Sequence, residues 1–177
     1  NERMTDTSAS LGPLELLDGR WVIGDAGKRH WVEFRRDGLY QHEPDSEGQL
    51  ILWPRIMLGM NLTMGSKSPA RGSNGFGGLL GGLPGPWRGR GSGYLHMTLR
   101  HPYENWIARF DRHPRYYPGA HLVFLQALTV QVIDAGQAQL LGDPEWLGRV
   151  VARLAPQRPR GWHGMREAVS RAMEAEA

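Results

Sequence analysis

Four side chains in the second half of the chain are of the types that bind metal ions or transfer protons. His101, Glu104, Asp111 and His113 follow one another closely in the sequence. A metal site needs three or four ligands held at fixed spacing on regular elements. These residues fall in or beside predicted turns, where spacing defines no geometry. We therefore predict no metal site and no bound cofactor.

Acid–base and nucleophilic chemistry also lack a clear motif. Glu33 lies near His42 across a predicted hairpin, but one position off direct pairing, so we expect the two side chains on opposite faces of the sheet. The sequence has no cysteine that could act as a nucleophile. Several serines lack the strand–turn–helix setting of an activated serine; they are Ser66, Ser68, Ser73 and Ser92. An enzyme is therefore the third choice among the functional classes.

Glycines dominate the segment 65–93, which contains eleven of them and three prolines. The run from Gly72 to Gly78 lacks the Gly-Lys-Ser/Thr of a phosphate-binding loop and the flanking strand and helix that such a loop requires. A long loop inside a compact domain is commonly functional. We predict that its large apolar residues form a partner-binding finger that meets another protein or a sister subunit; they are Phe76, Leu79, Leu80, Leu83 and Trp87.

Positive charge is concentrated in the same part of the chain. Between Ser66 and Tyr117 there are eight basic residues and two acidic ones, a local balance of +6 within a chain of net charge +3. Such a patch can track a phosphate backbone or meet an anionic lipid surface, although runs of charge are often only a solvated surface. The basic residues are Lys67, Arg71, Arg88, Arg90, Arg100, Arg109, Arg112 and Arg115.

Composition places the chain among folded globular proteins. Its 177 residues, with 40% hydrophobic content and seven tryptophans, suit one domain spanning 1–177. We expect a β-sheet part at 11–111, with the insertion at 65–93, and a helical part at 119–175. The absence of cysteine and of an apolar run of about 18 residues favours a cytoplasmic protein.

Alternating residues predict two hairpins. In the first, we expect a three-residue loop with Gly38 in the left-handed conformation, which sets Phe34 opposite Tyr40 and Val32 opposite His42. In the second, a four-residue loop at 102–105 sets Leu99 opposite Ala108 and Met97 opposite Phe110.

The stretch from Trp31 to Leu62, which ends in the nearly all-apolar run from Gln49 to Leu62, predicts the centre of an antiparallel sheet. Pro54 cannot donate to a sheet ladder, so we expect it to mark a bend between two strands. Trp21 to Ile23 predicts a further short strand, whereas 11–18 suggests one helical turn before Gly19.

The periodicity changes to that of a helix after Gly119. Apolar residues predict a first helix over 120–137, and Gly142-Asp143-Pro144-Glu145 predicts the start of a second, with Asp143 as its cap. A last helix follows Pro156–Gly161. The first two helices could form a helix-turn-helix, but we favour packing against the sheet because the second opens with Glu145 rather than basic residues.

Short strands followed by helices predict an α+β fold: a bent antiparallel β-sheet or partly open barrel of about seven short strands with two to three C-terminal helices. The segment from Leu52 to Ile56, Leu-Trp-Pro-Arg-Ile, resembles a strand passage of bacterial pleckstrin-homology-like domains. This resemblance covers Trp21 to Leu154 and implies a bent sheet closed by a C-terminal helix.

These patterns favour a non-enzymatic binding module that mediates protein–protein interaction or self-assembly through the glycine-rich insertion. The alternative is nucleic-acid or anionic-lipid binding through the basic region 67–115.

Overall fold

The computed structural model describes residues 10–27, 29–64, 88–89, 91–100, 102–113 and 115–177. In this part of the chain, antiparallel strands come first and three α-helices follow. The predicted α+β class, with a bent sheet and C-terminal helices, is confirmed.

Six strands form the larger sheet, and each is antiparallel to the next along the chain. Their bounds are β1 Ser10–Leu11, β2 Leu14–Leu17, β3 Arg20–Ile23, β4 Trp31–Phe34, β5 Gly38–His42 and β6 Gln49–Leu52. The helical turn predicted at 11–18 is wrong. Gly12 and Gly19 adopt positive φ angles of 66° and 78°, and these turns fold the segment into β1 and β2 instead.

A second sheet has the strand order β10, β9, β7. Its strands are β7 Ile56–Met64, β9 Gly93–Leu99 and β10 Glu104–Phe110, while β8 Arg88–Gly89 pairs with β11 Tyr117–Pro118. A single 3-10 turn, Trp53–Arg55, separates β6 from β7. The bend at Pro54 is thus confirmed, but the run around it is not the centre of a sheet. It supplies one edge strand to each of two sheets.

The register predicted for the first hairpin is wrong by one residue. Phe34 lies opposite Leu39, and Val32 lies opposite Gln41. Gly38 is not in a left-handed turn but is the first residue of β5, where a Cβ would overlap the carbonyl oxygen of Ile51 in β6. Gly38 is therefore needed for close strand approach, and the loop ends at Asp37, one residue earlier than expected.

The register of the second hairpin is also wrong, by four residues. Leu99 lies opposite Glu104 and Leu95 lies opposite Ala108. The loop begins directly after Leu99, earlier than predicted. Because the shift is even, Leu95, Leu99 and Ala108 still share the buried face.

The helices are α1 Gly119–Asp134, α2 Pro144–Leu154 and α3 Gly161–Ala175. The cap at Asp143 is confirmed, because its carboxylate accepts hydrogen bonds from the amides of Glu145 and Trp146, each at 3.1 Å. Helix α1 ends before the predicted residue 137, since Gly136 turns the chain with φ at 72°.

Both sheets and all three helices contribute to one cluster of buried apolar residues, which runs from Leu11 to Ala172. Trp21 of β3 reaches α2, where its indole N–H donates to the carbonyl of Pro144 at 3.1 Å. The helices therefore pack on the sheets as predicted.

Candidate functional site

The apolar finger predicted for the glycine-rich segment lies outside the described residues, as do Lys67, Arg71 and Arg90 of the predicted basic surface. The partner-binding role of Phe76, Leu79, Leu80, Leu83 and Trp87 stays a prediction.

Three of the other predicted arginines contact nearby protein groups. Arg100 donates through Nε to the carbonyl of Pro54 at 2.9 Å, Arg109 lies 3.6 Å from the carboxylate of Asp111, and Arg115 pairs with Glu15. Arg100 and Arg109 sit at opposite ends of the β9–β10 hairpin. Arg112 is exposed, and Arg88 belongs to β8. Binding of nucleic acid or anionic lipid by these residues stays a prediction.

Glu33 is the centre of a charged cluster on the outer face of the six-stranded sheet. It is only 4% exposed, and its carboxylate lies 2.9 Å from His42 Nε2, 3.3 Å from Arg35 Nε and 3.4 Å from Arg20 Nη1. The prediction that Glu33 and His42 lie on opposite faces is wrong. The one-residue change of register places them diagonally on the same face.

The aromatic rings around Glu33 face one another. Trp31 stacks on His42 with 3.7 Å between ring centroids, Tyr40 lies 4.6 Å beyond His42, and the guanidinium of Arg35 covers Tyr40 at 4.0 Å. Stacking of a nucleic-acid base needs an open ring face. The ring faces that pack against one another in this row are not available to a base, which favours a structural role for these residues.

A second buried carboxylate, Glu15, lies on the same face, two strands from Glu33 across Val22. It pairs with Arg115, and His113 Nε2 lies 3.5 Å away. Tyr117 packs edge-on against His113 at 5.6 Å. Burial raises the pKa of the Tyr117 hydroxyl well above its usual value, so it stays protonated.

Both carboxylates are held in the ionised form. Burial would raise the pKa of Glu33, but the hydrogen bond from His42 and the charges of Arg35 and Arg20 outweigh it, and the pKa is lowered. Burial likewise opposes the hydrogen bonds from His113 and Arg115, which prevail and lower the pKa of Glu15. A general acid at neutral pH needs a raised pKa, so this pair is suited to ion pairing rather than proton donation.

Metal binding finds no support among the residues that the structure describes, since no three histidines or carboxylates there could hold one ion. His101 lies outside them. Glu104 pairs with Arg55 at 2.9 Å, and Asp111 accepts from the amide of His30 at 2.6 Å.

An open cleft of about 430 Å³ lies between the Trp53–Arg55 turn and the end of α1. Met57, Leu58 and Ile133 give it apolar walls, and Arg100 and Asp134 add charge. Arg100 already donates to Pro54 there. The cleft borders the 3-10 turn that follows β6.

The edges of the two larger sheets differ in how they are protected. The edge of β7 is covered by α1, because Gln126 Oε1 accepts from the amide of Leu62 at 2.5 Å and Thr129 Oγ1 donates to the carbonyl of Met60 at 2.9 Å. Such cover prevents an edge strand from pairing with another chain.

The edge of β10 meets the six-stranded sheet near its C-terminal end. Gln41, 3% exposed, accepts from the amide of Arg109 at 2.7 Å and donates to its carbonyl at 2.8 Å. One residue further, the amide of Asp111 donates to the carbonyl of His30 at 2.8 Å. The described part of the edge strand β1 is two residues long.

Strand β6 is different. It is the last strand of its sheet and pairs only with β5 among the described strands. Its outer face presents Leu50 and Leu52, which are 37% and 46% exposed. Near this strand, the indole of Trp106 donates to Gln49 Oε1 at 3.0 Å, and that contact uses a side chain rather than the backbone of β6. We call β6 with its two exposed leucines the β6 edge.

Sequence reasoning placed two strands around Pro54 but missed the β6 edge, because it put the stretch from Trp31 to Leu62 at the centre of one sheet. A central strand has neighbours on both sides, whereas β6 is the last strand of its sheet.

Comparison with protein-family models, with characterised proteins and with solved structures finds no match for this chain. The resemblance to pleckstrin-homology-like domains therefore remains a prediction from sequence. Among the described helices, none combines the length and the apolar character needed to cross a membrane.

Proposed function

We propose that this protein is a non-enzymatic binding module that associates with a strand of another polypeptide at the β6 edge. The single observation that supports the proposal is a terminal strand paired on one side and presenting two exposed leucines. An added strand gains affinity from main-chain hydrogen bonds and specificity from alternate side chains.

The contrast between edges supports this choice. Folded proteins protect edge strands by covering them, shortening them or placing charge or proline on them. Here α1 covers β7, Gln41 of β5 satisfies both backbone groups of Arg109 near the end of β10, and the described part of β1 is two residues long. Pro54 limits β6 to the four residues 49–52, so we expect a small interface and weak, reversible association.

The surrounding glycines hold β6 in place. A Cβ on Gly38 would overlap the carbonyl of Ile51, and one on Gly48 would overlap the carbonyl of Gln41. Close pairing with β5 on one side keeps the strand extended, so that its other side is ready to pair without a large ordering cost.

Site-specific photo-crosslinking in the native cell tests the proposal. We would replace Leu50 by p-benzoylphenylalanine in the full chain and, as a matched control, Leu17, which is 36% exposed but lies at the end of β2, away from the β6 edge. We expect crosslinked protein from position 50 and none from position 17. Equal products at both positions, or none at 50, would reject the β6 edge as a binding surface.

A further inference from the structure

The charges that flank β6 indicate what occupies its edge. The turn before the strand carries the exposed acidic residues Glu43, Asp45 and Glu47, whereas Arg55 lies at the end of the turn that follows it. Arg100 donates to the carbonyl of Pro54 in that turn and adds a second positive charge, while Glu104 pairs with Arg55. The strand therefore has a negative end and a more weakly positive end. Antiparallel pairing with an identical strand brings opposite ends together, whereas parallel pairing brings like charges together.

We infer that the partner at the β6 edge is a second copy of this chain, paired antiparallel about a two-fold axis that lies midway between the Ile51 residues of the two copies. The inference rests on the proposed function of the β6 edge. A two-fold contact of this kind is self-complementary and closes at a dimer, because each copy uses its β6 edge for the other.

The leucines define the register. Residues directly opposite each other in an antiparallel pair share one face of the sheet. Leu50 lies one position before Ile51 and Leu52 one position after it, so pairing about Ile51 sets Leu50 of one copy opposite Leu52 of the other. Each exposed leucine of one copy is then covered by an exposed leucine of the other. A register centred on Leu50 would instead set Leu52 opposite Gly48, which has no side chain to cover it.

The same register aligns the charges. Glu47 lies four positions before Ile51, and Arg55 lies four positions after it. Two contacts between the acidic turn of one copy and Arg55 of the other therefore arise by symmetry. Arg55 already pairs with Glu104 at 2.9 Å, so we assign it a through-space attraction to the acidic turn rather than a fixed ion pair.

Sedimentation velocity over about 5 to 500 µM, a range suited to weak association, tests the dimer. The wild-type chain should move from monomer towards twice the monomer mass as its concentration rises. Leu50→Lys should weaken dimerisation at least about tenfold by placing charge on the edge, and the control Leu17→Lys should leave it unchanged. Glu47→Lys should weaken dimerisation at low salt more than at high salt.

The register has its own test, because the chain contains no cysteine. Opposed residues in an antiparallel pair have Cα atoms about 4.5 to 5.5 Å apart, within the range of a disulfide. Under mild oxidation, an equimolar mixture of Leu50→Cys and Leu52→Cys chains should form the mixed disulfide faster than either variant forms a disulfide with itself. No such preference would overturn the register.

The β6 edge as a binding surface and the second copy as its partner can be disproved separately. A monomer at every concentration, with photo-crosslinking from position 50 to a different protein, would overturn the second copy as partner and leave the proposed function standing. A monomer with no crosslink from position 50 would overturn both.

Discussion

His121 connects the first strands of the sheet to the end of α2. Its Nδ1 accepts a hydrogen bond from the amide of Gly12 at 3.1 Å, and its Nε2 lies 2.9 Å from the carbonyl of Ala155. These contacts fix the neutral ring with the proton on Nε2, because Nδ1 can accept only when it is unprotonated. Burial lowers the pKa of His121 below its usual value of 6.5, despite the opposing hydrogen bond to Ala155.

The pH dependence of folding follows from this lowered pKa. Above about pH 6.5 the ring is neutral in the folded and unfolded chains, and its contribution to stability is complete. Below that pH the unfolded chain takes up the proton first, so the free energy of unfolding should fall by up to about 1.4 kcal/mol per pH unit. Urea unfolding at pH 7.5 and 5.5 measures this change.

Two variants isolate the contribution of His121. His121→Gln should cost about 1 to 3 kcal/mol at pH 7.5, because the buried amide of Gly12 loses its acceptor, and should reduce the loss of stability on going to pH 5.5. His163→Gln, at a side chain 87% exposed, should change neither quantity. If the wild-type and His121→Gln chains respond alike to pH, the neutral ring is not what stabilises this contact.

Polar residues such as Gln41, His121 and Gln126 could not be assigned from sequence. Each of them bonds to backbone atoms of segments 64 to 109 positions away. Local sequence patterns cannot identify hydrogen-bond partners that lie so far away in the sequence. The cap at Asp143, in contrast, was predicted because its partners are the amides two and three residues further along the chain.

At the scale of elements, Gly38 decides whether β6 can pair with β5. Gly38→Ala should destabilise the chain by at least about 1 to 3 kcal/mol, the usual cost of overpacking, because the added Cβ meets backbone that cannot move aside. The matched substitution Gly148→Ala lies in α2, where a Cβ would have an ordinary contact of 3.8 Å with Trp21. It should stabilise by about 0.5 to 1 kcal/mol through helix propensity. Thermal unfolding of both variants checks the opposite signs.

The two hairpins show which features of the fold could be predicted from the sequence. Existence and pairing of strands followed from alternation, and the helices followed from periodicity and from the cap at Asp143. The register of each hairpin could not be predicted in this way, because the length of a turn depends on contacts outside the hairpin, such as that of Gly38 with β6. The even error in the second hairpin left its buried face correct, while the odd error in the first exchanged Tyr40 for Leu39 and hid the Glu33–His42 pair.

At the scale of the molecule, both sheets and the helices share one buried cluster. The two sheets also meet where Gln41 of β5 bonds to both backbone groups of Arg109 in β10. A shared core without an internal boundary predicts that the chain unfolds as one cooperative unit, in keeping with the single domain expected from its length.

Gln41→Leu tests that cooperativity where the sheets join. Leaving the amide and carbonyl of Arg109 without their partner should cost about 1 to 3 kcal/mol, while Gln139→Leu, at an exposed glutamine, should change stability by less than about 0.5 kcal/mol. Tryptophan fluorescence reports on β3, β10 and α2 through Trp21, Trp106 and Trp146, and far-ultraviolet circular dichroism reports on the whole backbone. In Gln41→Leu both signals should move to lower urea together, with coincident midpoints. Separate midpoints would mean that the two sheets unfold independently, and that the contact at Gln41 joins two domains rather than parts of one.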